Sequence, residues 1–117
     1  MRRKGQEAEG IAESFLIEAG LSPIKRNYYC KCGEIDLIMS DKESLVFVEV
    51  RFRNNTDHGT PLESITSSKQ RKIIRAAKNY LTRYHLWDRQ CRIDAIGIDK
   101  KKDGSLHFDW QKNAICE

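Results

Sequence analysis

The stretch GEIDLIMSDKESLVFVEVRFR, residues 33–53, contains two apolar segments that each carry an acidic residue near the middle. Residues 33–39 and 45–53 are rich in Val, Ile, Leu and Phe, which predicts two β-strands with SDKE as the turn between them. Asp36 lies in the first strand and Glu49 in the second. Charged residues are seldom buried in a strand without a partner, so these two acids point to a site.

Side chains alternate between the two faces of a strand, which predicts the neighbours of each acid. One face of the second strand carries Val46, Val48, Val50 and Phe52, and the other carries Leu45, Phe47, Glu49, Arg51 and Arg53. The first strand carries Ile35, Leu37 and Met39 on one face, and Glu34, Asp36 and Ile38 on the other. If the strands form a hairpin that buries both apolar sets together, Asp36 and Glu49 share a face. A two-residue turn at Lys42-Glu43 would place the two acids directly opposite each other.

Directly opposed carboxylates have Cβ atoms ~5 Å apart and repel each other. A cation, a basic neighbour or an acquired proton must compensate for this repulsion. Carboxylate oxygens suit Mg²⁺ or Mn²⁺, which bind one or two carboxylates together with a substrate phosphate. Arg51 faces the same way and could contact that phosphate. The alternative is a structural ion-pair cluster, in which Arg51 and Arg53 neutralise the acids.

The other helices and strands are predicted from the spacing of apolar residues and from the residues that begin or end each element. Residues 8–19 carry apolar side chains at helical spacing, and Gly20 ends that helix. A second helix begins with Ser67 and Gln70 at capping-box spacing, and its apolar stripe consists of Ile73, Ile74, Ala77, Tyr80, Leu81 and Tyr84. Further strands are expected at residues 23–30, 91–99 and 106–110, and a loop at residues 54–66.

The predicted order is therefore α-β-β-β-α-β-β, which indicates one α/β domain over residues 1–117 with a mixed central sheet. The second helix would cross between the third and fourth strands. Arg92 and Asp94 share a face of the fourth strand and are expected to pair with each other. Trp87 and Trp110 could stack on unpaired bases, but packing in the core is the expectation for both.

Composition places the chain among ordinary globular proteins, with 39% hydrophobic and 32% charged residues. No apolar run reaches the ~18 residues of a membrane span, and no signal-peptide core follows the basic start. We therefore expect a cytoplasmic protein without a membrane partner, whose four cysteines are free thiols. Cys30 and Cys32 form a C-x-C pair, which could be half of a zinc site but more simply fills apolar space.

Basic residues cluster although the formal net charge is only +4. The second helix carries Lys69, Arg71, Lys72 and Arg75. Arg53 lies in the strand at residues 45–53, on the same face as Glu49. Such a face can meet a phosphate backbone. A solvated helix surface is the alternative.

Together these motifs resemble the YraN-like family, an endonuclease-like family related to archaeal Holliday-junction resolvases and to the PD-(D/E)xK superfamily. GEIDLI followed by LVFVEVRFR carries the resemblance, with AE at residues 8–9, RN at 26–27, SKQ at 68–70, RID at 92–94 and NA at 113–114. It covers nearly the whole chain. The resemblance implies the restriction-endonuclease-like fold, three layers with helices flanking the mixed sheet.

The resemblance also assigns roles to residues. Asp36 and Glu49 match the two acids that bind Mg²⁺ or Mn²⁺, and Arg51 stands where the superfamily usually has a catalytic lysine. Glu9 matches an acid of the first helix that joins the metal site in resolvase-like members, and Gln70 matches a further catalytic candidate. Arginine stays protonated, so Arg51 can hold a phosphate but cannot act as a base.

These expectations favour a Mg²⁺-dependent endonuclease-like protein that hydrolyses phosphodiester bonds in DNA, branched or structured DNA by analogy with resolvases. Resolvases form dimers that meet two DNA strands symmetrically, so the resemblance also implies a possible homodimer. No segment of the sequence indicates a dimer surface. The first alternative is a non-catalytic nucleic-acid-binding protein in which Arg51 has disabled the chemistry. The second is a small interaction module whose charged cluster only stabilises the sheet.

Overall fold

A computed structural model of the protein describes residues 3–54 and 59–117, with side chains from residue 7 onward. Five strands form one sheet in the order β1-β2-β3-β4-β5. The elements are α1 (Arg3–Glu18), β1 (Ser22–Cys30), β2 (Gly33–Asp41), β3 (Ser44–Asn54), a 3-10 helix (Pro61–Ser64), α2 (Ser67–Arg83), β4 (Cys91–Lys100) and β5 (Leu106–Gln111). The predicted order of helices and strands is confirmed. Neither helix within the described ranges is long and apolar enough to span a membrane.

The sheet is mixed, as predicted. β3 and β4 run parallel, from the pair Leu45–Cys91 to the pair Asn54–Lys100, and the other neighbouring strands are antiparallel. Parallel neighbours need a crossover connection, and α2 supplies it. This connection, which follows β3 and precedes β4 in the chain, brings the basic residues of α2 beside the sheet.

Each helix covers one face of the sheet, which gives three layers. Ala8, Ala12 and Leu16 of α1 pack against the apolar set of β3 that includes Val46 and Val48. The other face packs against α2 through the residues Ile38, Leu45, Phe47, Ala76, Ala77, Tyr80 and Leu81. Alternate residues of β3 therefore point to different helices, as the period of two predicts.

Helix α1 ends where the sequence predicts. Gly20 has φ 110°, a left-handed conformation that glycine adopts without a steric penalty. The Leu21 N–H donates to Leu16 O at 3.0 Å, and the Gly20 N–H donates to Ile17 O at 3.0 Å. These two bonds form a Schellman motif, which satisfies carbonyls at the end of the helix.

The start of α2 differs from the prediction. Thr66 is the N-cap, and its hydroxyl accepts a hydrogen bond from the Lys69 N–H at 3.2 Å. The predicted capping box of Ser67 and Gln70 is wrong, because Thr66 already caps the helix and Gln70 donates to Ile65 O instead. Tyr84 was expected in the apolar stripe, but it follows the last helical turn and is 44% exposed.

The β2–β3 hairpin has the predicted two-residue turn. Asp41 pairs with Ser44, so Lys42 and Glu43 form the turn, and the register runs to the pair Leu37–Val48. Lys42 has φ 58°, as two-residue hairpin turns require. Continued by one residue, this register puts Asp36 opposite Glu49.

Ile35 departs from the predicted alternation. It packs with Tyr28 and Ile38 on the α2 side instead of with Leu37. The β1–β2 register pairs Arg26 with Leu37 and then Tyr28 with Ile35. Asn27, between these pairs, has φ 56°. This left-handed residue interrupts the regular pleat beside Asp36.

The predicted loop at residues 54–66 contains the 3-10 helix Pro61–Ser64, which the sequence did not reveal. Residues 55–58 of that loop, including His58, lie outside the described residues. The short helix packs closely on β4 at Gly97, where a Cβ would lie 3.0 Å from Pro61 Cβ. Trp87 is another difference, since it is 57% exposed and not in the core. Trp110 is partly buried against the α1-side core, as expected.

Candidate functional site

A cavity of about 550 Å³ opens on the α2 side of the sheet. Three segments form its walls: the β1–β2 turn, the middle of β2 and β3, and the first half of α2. Its lining residues are Tyr29, Cys30, Lys31, Cys32, Gly33, Glu34, Asp36, Glu49, Arg51, Lys69, Lys72 and Ile73. The two predicted acids thus share one cavity with Arg51 and with two lysines of the basic helix.

Asp36 and Glu49 are both buried, with 7% of each residue exposed. The β2–β3 ladder stops at Leu37–Val48, and beyond it Asp36 Oδ2 accepts a hydrogen bond from the Val50 N–H at 2.8 Å. The Asp36 carboxyl group also lies close enough to Glu49 to influence its pKa. The carboxyl group of Asp36 is therefore fixed by the backbone of the next strand.

The pKa of Glu49 is raised to about 8. Burial is the main cause, and the charge of Asp36, its hydrogen bond and the charge of Glu34 add to the shift, while Arg51 opposes it. Below that pH Glu49 is protonated and can donate to the Asp36 carboxylate. A buried carboxyl group whose pKa is raised beside a second acid is typical of a site that a cation can occupy in place of the proton.

Arg51 lies beside this acid pair. Its Nη2 is 2.7 Å from Glu49 Oε2, and 22% of its side chain is exposed. Arg51 Nε is buried and has no hydrogen-bond acceptor among the described residues. Guanidinium groups bind phosphate oxygens through their N–H donors, and the exposed part of the Arg51 side chain lines the cavity.

The donor set fits a hard divalent cation. Asp36 and Glu49 offer carboxylate oxygens, which Mg²⁺ and Mn²⁺ prefer. Within residues 3–54 and 59–117, no group of three or more His, Cys, Asp or Glu side chains is arranged to hold a metal. The pair would therefore leave most coordination positions to water and substrate, as Mg²⁺ sites in phosphoryl-transfer enzymes do.

Comparison with known proteins identifies the family. Residues 8–98 match the family described as "Uncharacterised protein family UPF0102". The chain belongs to the UPF0102 family. The UPF0102 protein of Psychromonas ingrahamii is 54% identical over 115 residues, which cover 97% of this chain and 90% of the relative. That of Marinobacter nauticus is 46% identical over 114 residues, covering 97% and 93%. The predicted YraN-like membership is therefore confirmed at the family level.

Several predicted site residues of the UPF0102 chain lie outside this cavity lining. Glu9 is 3% exposed on α1, which packs against the other face of the sheet. Gln70 donates to Ile65 O at 3.2 Å and lines a second groove on α2 with Arg71 and Arg75. Arg53 Nη2 pairs with Asp99 Oδ2 at 3.0 Å. The structure thus brings together Asp36, Glu49, Arg51, Lys69 and Lys72, and not the other candidates.

The β1–β2 turn is the part of the site that was not predicted from the sequence. Tyr29, Cys30 and Cys32 line the cavity, and Tyr29 is 54% exposed. The antiparallel pairing of β1 with β2 brings these residues beside Glu34. A signal was present in the sequence, since a tight turn directly before GEID must lie next to Asp36.

The predicted pair on β4 is confirmed and is structural. Arg92 Nε lies 2.9 Å from Asp94 Oδ1, and Arg92 Nη2 lies 3.0 Å from Asp41 Oδ2. Asp94 is fully buried and also accepts from Trp110 Nε1 at 2.9 Å and from the Asn113 N–H at 2.8 Å. These bonds join the carboxyl-terminal segment to the sheet.

Proposed function

We propose that this UPF0102 protein is a Mg²⁺- or Mn²⁺-dependent endonuclease-like hydrolase that cleaves phosphodiester bonds in DNA. The observation that carries the proposal is the meeting of Asp36, Glu49 and Arg51 with Lys69 and Lys72 in one cavity. With Glu34 and Lys31 the lining has three acids and four basic residues, which suit a substrate that is anionic and is bound through a divalent cation. The restriction-endonuclease-like fold that the sequence motifs imply belongs to the same proposal.

Asp36 and Glu49 would hold the cation. When bound, the cation would polarise the phosphoryl oxygen and lower the pKa of an attacking water. The Val50 N–H keeps Asp36 in position before the cation binds, which limits the reorganisation that binding requires. Glu49 must lose its proton to act as a ligand, so cation and proton compete for the same oxygens.

Arg51 would bind the scissile phosphate and stabilise the charge that develops on it. Its Nη2 is engaged by Glu49, and the exposed part of its side chain lines the cavity. Since arginine does not deprotonate, Arg51 is a phosphate ligand and not a general base. The proton of the attacking water would therefore pass to a carboxylate or to solvent.

The basic residues of α2 would contact the DNA backbone. Lys69 and Lys72 reach the cavity, and Arg71 and Arg75 line the neighbouring groove. Phosphate contacts fix the position of a nucleic acid without reading its sequence. The proposal of structured or branched DNA as the substrate rests on the resemblance to resolvases. The homodimer and the cytoplasmic location also stay predictions.

One observation favours the non-catalytic alternative. The positive charge of Arg51, whose Nη2 lies 2.7 Å from Glu49 Oε2, offsets part of the acid repulsion whenever Glu49 is ionised, so the cluster can exist without a cation. A DNA-binding protein that keeps the nuclease fold would then use Lys69 and Lys72 and leave the acid pair structural.

The first test is calorimetric titration of Mn²⁺ and Mg²⁺ into the wild type, Asp36→Asn and Glu43→Gln. Glu43 is an exposed acid in the turn of the same hairpin and serves as the matched control. We expect saturable binding by the wild type and by Glu43→Gln, and its loss in Asp36→Asn. A cleavage screen on duplex, flap and four-way-junction DNA follows. Metal-stimulated cleavage that Asp36→Asn abolishes supports the nuclease, and DNA binding indifferent to metal and to Asp36 supports the alternative.

A further inference from the structure

Two thiols of the β1–β2 turn lie in contact at the edge of the cavity. Cys30 Sγ and Cys32 Sγ are 2.9 Å apart, and either sulfur can donate to the other. Both residues are half-buried, and both line the cavity that contains Asp36. Cys91 and Cys116, by contrast, are exposed.

The backbone holds the two sulfurs together. Cys30 ends β1 and pairs with Gly33 at the start of β2, so Lys31 and Cys32 form a two-residue turn. The turn also rests on α2, because a Cβ on Gly33 would lie 3.3 Å from Lys72 O. The hairpin and its packing on α2 therefore keep the backbones of the two cysteines close together.

Filling of apolar space and zinc binding are two simpler roles for Cys30 and Cys32, and neither explains the contact between the sulfurs. The thiols do fill apolar space beside the α2-side core. Filling space does not require two sulfurs in contact, because a thiol packs equally well against carbon. A zinc site would need further ligands, and the described residues provide no third Cys, His, Asp or Glu in a suitable position.

We propose that Cys30 and Cys32 form a redox-active dithiol, which a low-molecular-weight disulfide such as oxidised glutathione converts reversibly to an intramolecular disulfide. This modification site is independent of the proposed nuclease activity. Its position would place the oxidised turn against the same cavity as the acid pair.

The exchange balances in two steps. The thiolate of one cysteine attacks a sulfur of oxidised glutathione, and a mixed disulfide forms as the first glutathione thiolate leaves. The second cysteine then attacks the sulfur of its neighbour, which forms the Cys30–Cys32 bond and releases the second glutathione. Two electrons pass from the protein to the oxidant, and the two thiol protons end on the two released glutathiones.

Contact between the sulfurs favours the second step. A partner sulfur already at 2.9 Å has a high effective concentration, whereas a second glutathione must be recruited from solution. Closing the bond brings the sulfurs to about 2.05 Å, a displacement within the reach of side-chain rotation. The ring in a C-x-C disulfide is short, and strained disulfides are readily reduced, so the modification should be reversible.

The test uses the full chain with Cys91→Ser and Cys116→Ser, which leaves only the paired thiols. The protein is equilibrated in glutathione buffers of increasing oxidised fraction, quenched with an alkylating agent and measured by intact mass. We expect a species that lacks both thiol protons, carries no glutathione and resists alkylation. It should form at an oxidised-glutathione concentration about tenfold or more below that at which Cys30→Ser or Cys32→Ser gains a mixed disulfide.

Wild-type protein provides a second measurement that no substitution can disturb. Lys31 lies between the two cysteines, so trypsin separates residues 27–31 from residues 32–42. After oxidation the two peptides should remain joined until a reductant is added. Separate alkylated peptides, or glutathione on Cys30 and Cys32 to the same extent as on Cys91 and Cys116, would overturn the proposal. Neither result depends on metal binding or DNA cleavage.

Discussion

Asp36 Oδ2 accepts a hydrogen bond from the Val50 N–H at 2.8 Å, just beyond the point where the β2–β3 ladder ends. The carboxylate thus takes the place of a strand carbonyl and is held in the cavity by the backbone of β3. The charge of the same side chain helps to raise the pKa of Glu49. Asp36 therefore combines a structural contact with a candidate metal-binding role, and substitutions can separate the two.

Substitution of Asp36 should give opposite results for Asn and Ala. Asp36→Asn keeps an acceptor for the Val50 N–H and removes a negative charge beside Glu49, so above about pH 8, where Glu49 is ionised, the metal-free protein should become more stable. Asp36→Ala leaves the Val50 N–H buried without an acceptor and should lower the free energy of unfolding by ~1–3 kcal/mol. Urea unfolding in EDTA measures both values. A loss of stability in Asp36→Asn would instead indicate a structural ion-pair cluster.

The stability of the metal-free protein should fall as pH rises through the range where Glu49 titrates. The pKa of Glu49 is about 8 in the folded protein and near 4.5 in the unfolded chain, so the folded state binds the extra proton between these values. The resulting stabilisation is fully present below about pH 4.5 and is lost by about pH 8. The slope from one such group is at most about 1.4 kcal/mol per pH unit.

Urea unfolding at a series of pH values tests this expectation, with Glu49→Gln and Glu43→Gln for comparison. Glu49→Gln should remove the downward slope, because glutamine does not titrate. Glu43 is exposed, and its substitution should leave the slope in place. An unchanged slope in Glu49→Gln would assign the raised pKa to another group.

Substitution of Arg51 should move the pKa of Glu49 according to charge. Arg51 lowers that pKa through its positive charge, so Arg51→Gln should raise it further, whereas Arg51→Lys keeps the charge and should change it little. A ¹³C NMR titration of the Glu49 carboxyl group in EDTA gives the pKa directly. Any metal-dependent cleavage should survive in Arg51→Lys and disappear in Arg51→Gln. Equal pKa values of Glu49 in Arg51→Gln and Arg51→Lys would show that the charge of Arg51 does not set the pKa of Glu49.

The pairing of the two acids could be predicted because it depends on local rules. Strand alternation and a two-residue turn were enough to put Asp36 and Glu49 on one face. The partner of Arg53 could not be predicted in this way, because Asp99 lies on a parallel strand that α2 brings alongside β3. Ile35 lies on the face opposite to the predicted one. The left-handed Asn27 that interrupts the pleat beside it is on β1, so no pattern within β2 could reveal the irregularity. Local periodicity thus gave the elements, whereas the neighbours of single side chains depend on long-range packing.

Asp94 should be essential for stability and not for metal binding. It is fully buried and accepts hydrogen bonds from Arg92, Trp110 and Asn113. Asp94→Ala removes the carboxylate that pairs with the partly buried Arg92. The substitution should lower the free energy of unfolding by ~3–5 kcal/mol. The exposed acid Asp88 provides the control, and Asp88→Asn should change stability by less than about 0.5 kcal/mol. Equal stability of the two variants would show that the buried network contributes little.

The lysines of α2 should set the salt dependence of DNA binding. Lys69 and Lys72 line the cavity from the first half of the helix, where each can neutralise one phosphate. The variant Lys69→Gln/Lys72→Gln should therefore reduce the slope of log K against log salt by about two, since each lost phosphate contact reduces it by about one. Lys100→Gln/Lys102→Gln removes the same charge at the β4–β5 turn, away from the cavity, and should leave the slope nearly unchanged. Fluorescence anisotropy with labelled duplex and junction DNA measures both slopes, and equal slopes would place the DNA on a different surface.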